Sequence, residues 1–147
     1  KEECGFDEVI NYRDQDFAQE LPKFAPDGID LFFDNVGGWQ FAAALHNMKL
    51  RGRISMCGAV SNFGTQEQPS TAVLIETVLR RLTITGFIVR DYEDLRPEFE
   101  ARVSDWLAQG QLVDRATIVE GIAAAGAGLE GLLSGANFGK ALVRLSD

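Results

Sequence analysis

A chain of 147 residues, 46% apolar and 24% charged, carries enough apolar material for a single core, since chains of this size bury roughly 68–70% of their unfolded surface. The formal charge of −8, with acids and bases interspersed and no basic block, argues against nucleic acid as a partner, and no stretch approaches the roughly 18 apolar residues of a membrane span. Cys4 and Cys57 are far apart and form no CxxC pair, so neither a disulfide framework nor a zinc site is indicated and a reducing, cytoplasmic setting is expected.

The opening Lys1-Glu2-Glu3-Cys4-Gly5 reads as the last turn of a helix stopped by glycine, so further chain is expected before it. It has neither the basic nor the apolar region of a signal peptide. Val9-Ile10-Asn11-Tyr12 is a β-prone run, and residues 14–21 carry Phe17 and Leu21 on one helical face until Pro22 ends the turn. After the Pro26-Asp27-Gly28 turn, residues 29–33 are almost continuously apolar, as in a buried parallel strand. Phe41, Leu45 and Met48 then mark a helix from Trp39 that Arg51-Gly52 stops.

Residues 53–56 form the next expected strand, and a helix from about Thr71 follows with Leu74, Ile75, Val78 and Leu79 as its stripe. The lone His46, without a partner histidine, reads as a packed or half-exposed side chain and not a ligand. Residues 83–89 read as a strand, and Pro97 opens a helix striped by Phe99, Val103, Trp106 and Leu107 and ended by Gly110. A short strand over 118–122, a helix around Leu129, Leu132 and Leu133 weakened by Gly126, Gly128 and Gly131, and a β-prone run from Ala141 complete the chain. Alternating strands and helices predict an α/β fold with a parallel sheet, the four strands at 9–11, 29–33, 53–56 and 83–89 all running the same way through right-handed crossovers.

In such a sheet the ligand lies beyond the C-terminal strand ends. There stand Asp34-Asn35-Val36-Gly37-Gly38, Cys57-Gly58-Ala59-Val60-Ser61 and Phe87-Ile88-Val89, in which glycines allow close backbone approach and Asn35 and Ser61 offer hydrogen bonds to a sugar or amide. On the residues alone this means a nucleotide-type ligand, which a methyltransferase or a flavodoxin-like binder would satisfy equally.

Gly5-Phe6-Asp7, Val9-Ile10-Asn11-Tyr12, Gly28-Ile29-Asp30, Phe33-Asp34-Asn35-Val36-Gly37-Gly38, Cys57-Gly58-Ala59-Val60-Ser61 and Asn137-Phe138-Gly139-Lys140 occur in the order and spacing of a known family. Over nearly its whole length the chain resembles the C-terminal half of the leukotriene hydroxydehydrogenase, prostaglandin reductase and 2-alkenal reductase branch of the medium-chain dehydrogenases. That branch lacks zinc and uses NADPH to reduce the carbon–carbon double bond of enals and enones.

The resemblance implies a partial doubly wound, Rossmann-like sheet lacking its first βαβ unit. Residues 1–117 would be the C-terminal part of the NADP(H)-binding domain, and 118–147 a closing segment returning to a catalytic domain. It also implies that Tyr12 meets the adenosine 2′-phosphate, that Asn35, Cys57, Gly58, Ala59 and Ser61 line the nicotinamide ribose, and that Phe87, Ile88 and Val89 offer backbone groups to the carboxamide. Asn137 would approach from the closing segment. Each has a plainer alternative: Tyr12 as an exposed strand end, Cys57 as a packed thiol, Phe87 and Val89 as core, Asn137 as a turn former.

The family's glycine-rich loop, the basic partner of the 2′-phosphate and the catalytic domain would precede Lys1. Where the family commonly has tyrosine two residues after the serine, this chain has Phe63, without the hydroxyl that could steady an enolate. Phe63 is therefore a candidate substrate-pocket residue, and no catalytic residue is assigned. The expected substrate is a small hydrophobic unsaturated carbonyl compound, with no metal, and a homodimer through the edge strand at 83–89 is expected of the intact protein. A quinone or alcohol oxidoreductase of the same superfamily, or a non-enzymatic protein retaining the fold, are the rival readings.

Overall fold

The computed structural model describes residues 1–62 and 74–145; Phe63 and the expected helix start at Thr71 fall outside them. The chain forms two compact units, Gly5–Arg96 with Lys1, and Pro97–Asp147 with Glu2–Cys4.

In the first unit, helix α1 (Phe17–Phe24) starts where Asp16 caps it, its carboxylate accepting the N–H groups of Ala18 and Gln19. Pro22 lies inside this helix and does not stop it. In so short a helix its missing N–H leaves out a single bond, to Ala18, and the turn continues until the Ala25 N–H reaches the Leu21 carbonyl at 2.9 Å. Strand β1 (Ile29–Asp34) leads through helix α2 (Gly38–His46) to strand β2 (Met48–Met56), and helix α3 (Leu74–Arg80) precedes strand β3 (Thr83–Gly86). The three strands form one sheet in the order β1-β2-β3, all parallel.

Three further expectations change. Residues 9–11 join no described strand. A strand persists only where a neighbour completes its ladder, and no described strand lies beside this run. Next, Arg51-Gly52 does not end a helix. It lies within β2, where the register jumps from Ile29 opposite Met48 to Leu31 opposite Arg53, and Arg51 takes a left-handed φ of 63°. The extra residues form a bulge that lets β2 begin at Met48. Finally, β3 ends at Gly86, opposite the last residue of β2, and Phe87 donates to the Met56 carbonyl before a 3₁₀ segment, Val89–Leu95, takes over.

Side chains alternate across the sheet. Ile54 joins Leu45 and Met48 in the core, with the partly buried Phe32, Phe41, Met56 and Leu82 against them, while Leu31 and Phe33 on the opposite face are more than half exposed. Arg80 ties α3 to the junction of α2 and β2, donating to the carbonyls of Met48 at 2.6 Å and His46 at 2.8 Å. Glu76 accepts from the Arg80 Nε at 2.8 Å and lies 3.4 Å from the Nδ1 of the exposed His46.

In the second unit, helix α4 (Arg96–Ala108) leads to strand β4 (Ala116–Glu120), a single 3₁₀ turn, helix α5 (Ala125–Ser134) and strand β5 (Lys140–Arg144). β4 and β5 pair in parallel as a separate two-stranded sheet, so β5 is not a further neighbour of β3. The apolar stripe of α4 packs into no core: Phe99, Trp106 and Leu107 are exposed.

Candidate functional site at the strand ends

β1 and β2 end side by side, Asp34 opposite Met56. Asp34 is 2% exposed. One of its carboxylate oxygens accepts the N–H of Val36 at 2.8 Å, and both accept from Gly37, at 3.0 and 3.1 Å. These bonds fold residues 34–37 into a turn of the kind aspartate builds on the backbone following it. The same residue anchors the neighbouring loop, because its carbonyl accepts the N–H of Cys57 at 2.8 Å and of Gly58 at 3.3 Å.

The two loops are then joined along their length. Val60 donates to the Asn35 carbonyl at 3.2 Å, and Ser61 reaches the Val36 carbonyl through its N–H at 3.0 Å and its Oγ at 2.6 Å. The fit allows little beyond glycine. Gly37 and Gly38 have φ of 73° and 59°, where a Cβ is strained, and a Cβ on Gly38 would lie 2.8 Å from the Ser61 Oγ. A Cβ on Gly58 would lie 3.3 Å from the Asn35 carbonyl oxygen.

Asn35, Cys57, Gly58, Ala59 and Ser61 are thus brought together, with Asn35 and Cys57 exposed and the other three half-buried. Phe87 joins the same end of the sheet through its bond to Met56, its ring between those of Phe33 at 6.0 Å and Tyr92 at 5.8 Å. Ile88 and Val89 follow, both exposed, with the Ile88 carbonyl engaged by the Asp91 N–H at 2.9 Å. Tyr12 is 55% exposed and packs its ring against Trp39, the residue after Gly38. Asn137 belongs to the second unit, where its side-chain amide donates to the Gly139 carbonyl at 2.8 Å and it borders an apolar cleft of about 290 Å³ between α5 and the β4–β5 pair.

One feature fits a polar ligand at the joined loops. The Gln40 Oε1 is buried without a hydrogen-bond donor among the described residues, near the position a Gly38 Cβ would take. A buried acceptor without a partner calls for a donor such as a hydroxyl or an amide N–H.

Sequence reasoning did not single out Asp34, Trp39 or Gln40 as site residues. Asp34 was legible as an aspartate two and three residues before turn-forming N–H groups; nothing in the sequence marked Gln40. Lys49, whose pKa is raised chiefly by its hydrogen bond to Asp30, and Glu76, whose carboxyl Arg80 holds low, stand where β2 begins, at the other end of the sheet. No group of three or more His, Cys, Asp or Glu among the described residues could hold a metal, and no described helix is long and apolar enough to cross a membrane.

The family model for zinc-binding dehydrogenases matches residues 1–109. The chain is 38% identical over 147 residues to the NADP⁺-dependent 2-alkenal reductase of Nicotiana tabacum, covering 99% of this chain and 43% of that protein. It is 36% identical over 151 residues to the NADPH-dependent curcumin reductase of Escherichia coli, covering 99% of this chain and 44% of that protein. The crystal structure of CurA from Vibrio vulnificus in complex with NADPH superimposes with a TM-score of 0.88 at 34% identity, over 100% of this chain and 48% of that one. The chain therefore spans less than half the length of the proteins it matches. By these matches it belongs to the zinc-binding dehydrogenase family, among the medium-chain reductases whose motifs it carries.

Proposed function

We propose that the full-length protein is an NADPH-dependent reductase of the carbon–carbon double bond of enals or enones. The observation that carries this is the pair of interlocked loops, residues 34–38 and 57–61, at the C-terminal ends of adjacent parallel strands, in a chain similar to NADP-dependent reductases. Bound NADPH would supply the hydride, which passes to the β-carbon of the substrate. The protein's own contribution is to place the reactants.

Asn35, Cys57, Gly58, Ala59 and Ser61 are our candidates for holding the nicotinamide ribose. Asp34 fixes the shape of both loops, and Gln40 offers an acceptor for a hydroxyl or amide. Phe87, Ile88 and Val89 are candidates for the carboxamide, Tyr12 for the 2′-phosphate, and Asn137 for a contact from the closing segment. Phe63 remains a candidate wall of the substrate pocket. A homodimer through the exposed edge of β3 and a cytoplasmic setting complete the reading.

The test is turnover of the full-length protein with NADPH and NADH against enals, enones, quinones and alcohols. Reduction of enals or enones with NADPH is the expected result. Turnover confined to quinones or alcohols, or no affinity for NADPH, would overturn the proposal. Residues 1–147 alone should bind NADPH poorly and turn over nothing, because the helix N-terminus that cradles a pyrophosphate is not among them.

A further inference from the structure

Tyr12 lies in a stretch that no strand ladder steadies. Residues 9–11 pair with no described strand, and the chain turns immediately afterwards, Asp14 and Gln15 both donating to the Asn11 carbonyl at 3.1 and 2.9 Å. A half-exposed tyrosine on such a backbone has several staggered side-chain positions open to it unless something packs against its ring. Trp39 supplies that packing. The Tyr12 and Trp39 rings meet edge to face, 6.1 Å between centroids at an interplanar angle of 70°.

Trp39 is itself held from two sides. Phe17 meets its ring edge to face at 5.6 Å and 77°, and Phe17 is fixed as the first residue of α1 by the Asp16 cap. Trp39 also follows Gly38 in the first turn of α2, whose start the Asp34 carboxylate and the Ser61 loop hold in place. Yet Trp39 remains 51% exposed. An indole left half in water at a helix start contributes little to a core; its gain lies in the two ring contacts, one to each side.

We propose that Trp39 is a positioning residue that sets the rotamer of Tyr12 and thereby the preference for a 2′-phosphorylated over an unphosphorylated adenosine cofactor. The inference rests on the reading of Tyr12 as the residue that meets the 2′-phosphate. Through the same tryptophan, the loop that would receive the phosphate is coupled to the Gly37-Gly38 turn at the strand ends, 25 to 26 residues later in the chain.

The experiment measures Kd for NADPH and NADH by calorimetry in the full-length protein, for the parent, Tyr12→Phe, Trp39→Leu, Trp39→Phe and the double variant Tyr12→Phe/Trp39→Leu. An edge-to-face contact contributes a modest energy, so Trp39→Leu should weaken NADPH binding about 2- to 10-fold and leave NADH binding unchanged. Trp39→Phe, which keeps a ring in place, should stay within about twofold of the parent, so that a preference lost in Trp39→Leu and kept in Trp39→Phe belongs to the ring contact. Tyr12→Phe should cost at least about tenfold in NADPH affinity, and adding Trp39→Leu to it should change the cofactor preference no further. Loss of NADPH and NADH affinity in equal measure on Trp39→Leu would make Trp39 a structural residue and overturn the inference. So would an unchanged preference in Trp39→Leu while Tyr12→Phe loses it. An unchanged preference in Tyr12→Phe would overturn the reading of Tyr12 itself.

Discussion

β1–β3 and β4–β5 are both parallel sheets of short β-prone strands, and each has a helix running between its strands. In the first unit Leu45, Met48 and Ile54 are sealed from water to within 1% exposure, whereas in the second no helix or strand holds a buried residue. The helices account for much of the difference. α2 presents Phe41, Leu45 and neighbouring alanines to the strands, so large side chains interlock. α5 presents glycine: a Cβ on Gly128 would lie 3.1 Å from the Val119 Cγ2, so helix and strand approach closely, with little side-chain bulk between them to exclude water. A parallel pair is stable when both faces are covered, and a two-stranded sheet with one thin helix meets that condition poorly. Among the described residues the second unit therefore has a frame without a core.

The strongest way to break this comparison is truncation on each side of it. Leu45→Ala should destabilise the first unit by about 2–5 kcal/mol, while Leu132→Ala, at a side chain already 46% exposed, should cost the second less than about 1 kcal/mol. Equal shifts in chemical denaturation would mean that the second unit has a core of its own. Next comes the joint between the strand ends. Asp34→Ala leaves the Val36 and Gly37 N–H groups without their charged acceptor, at about 1.5–3 kcal/mol, and should loosen both loops, seen as faster amide exchange at Cys57 and Gly58 with β4 and β5 unchanged.

The smallest expected effect is a pH dependence confined to the first unit. The Arg80 hydrogen bond holds the Glu76 carboxyl below the usual carboxylate range, and the nearby His46 adds to this. A folded-state pKa below the unfolded one stabilises the fold above the unfolded value, and the contribution is lost as pH falls through the folded one. Melting of the parent should therefore lose slightly more on going from neutral to acid pH than melting of Glu76→Gln. Because the carboxylate is screened by water the difference is small, and parallel curves would show that Arg80 alone clamps α3.

Most of the strand ends could be read from the sequence, for a local reason. Asp34-Asn35-Val36-Gly37-Gly38 encodes its own turn, because the aspartate bonds the backbone two and three residues on and the glycines take left-handed angles other residues avoid. The common direction of β1, β2 and β3 likewise follows from apolar runs separated by helices, since strand–helix–strand crossovers bring the chain back parallel; their order came from the fold. Where a strand stops was not local information. β3 ends at Gly86 because β2 ends opposite it, and residues 9–11 lack a ladder because no described strand lies beside them, whatever their β-propensity. Nor could any single segment foretell the contact of Trp39 with both Tyr12 and Phe17, or the Gln40 acceptor buried without a donor. Residue type and spacing determined which turns and helices this chain forms; only tertiary packing decided which strands found a partner and which side chains met.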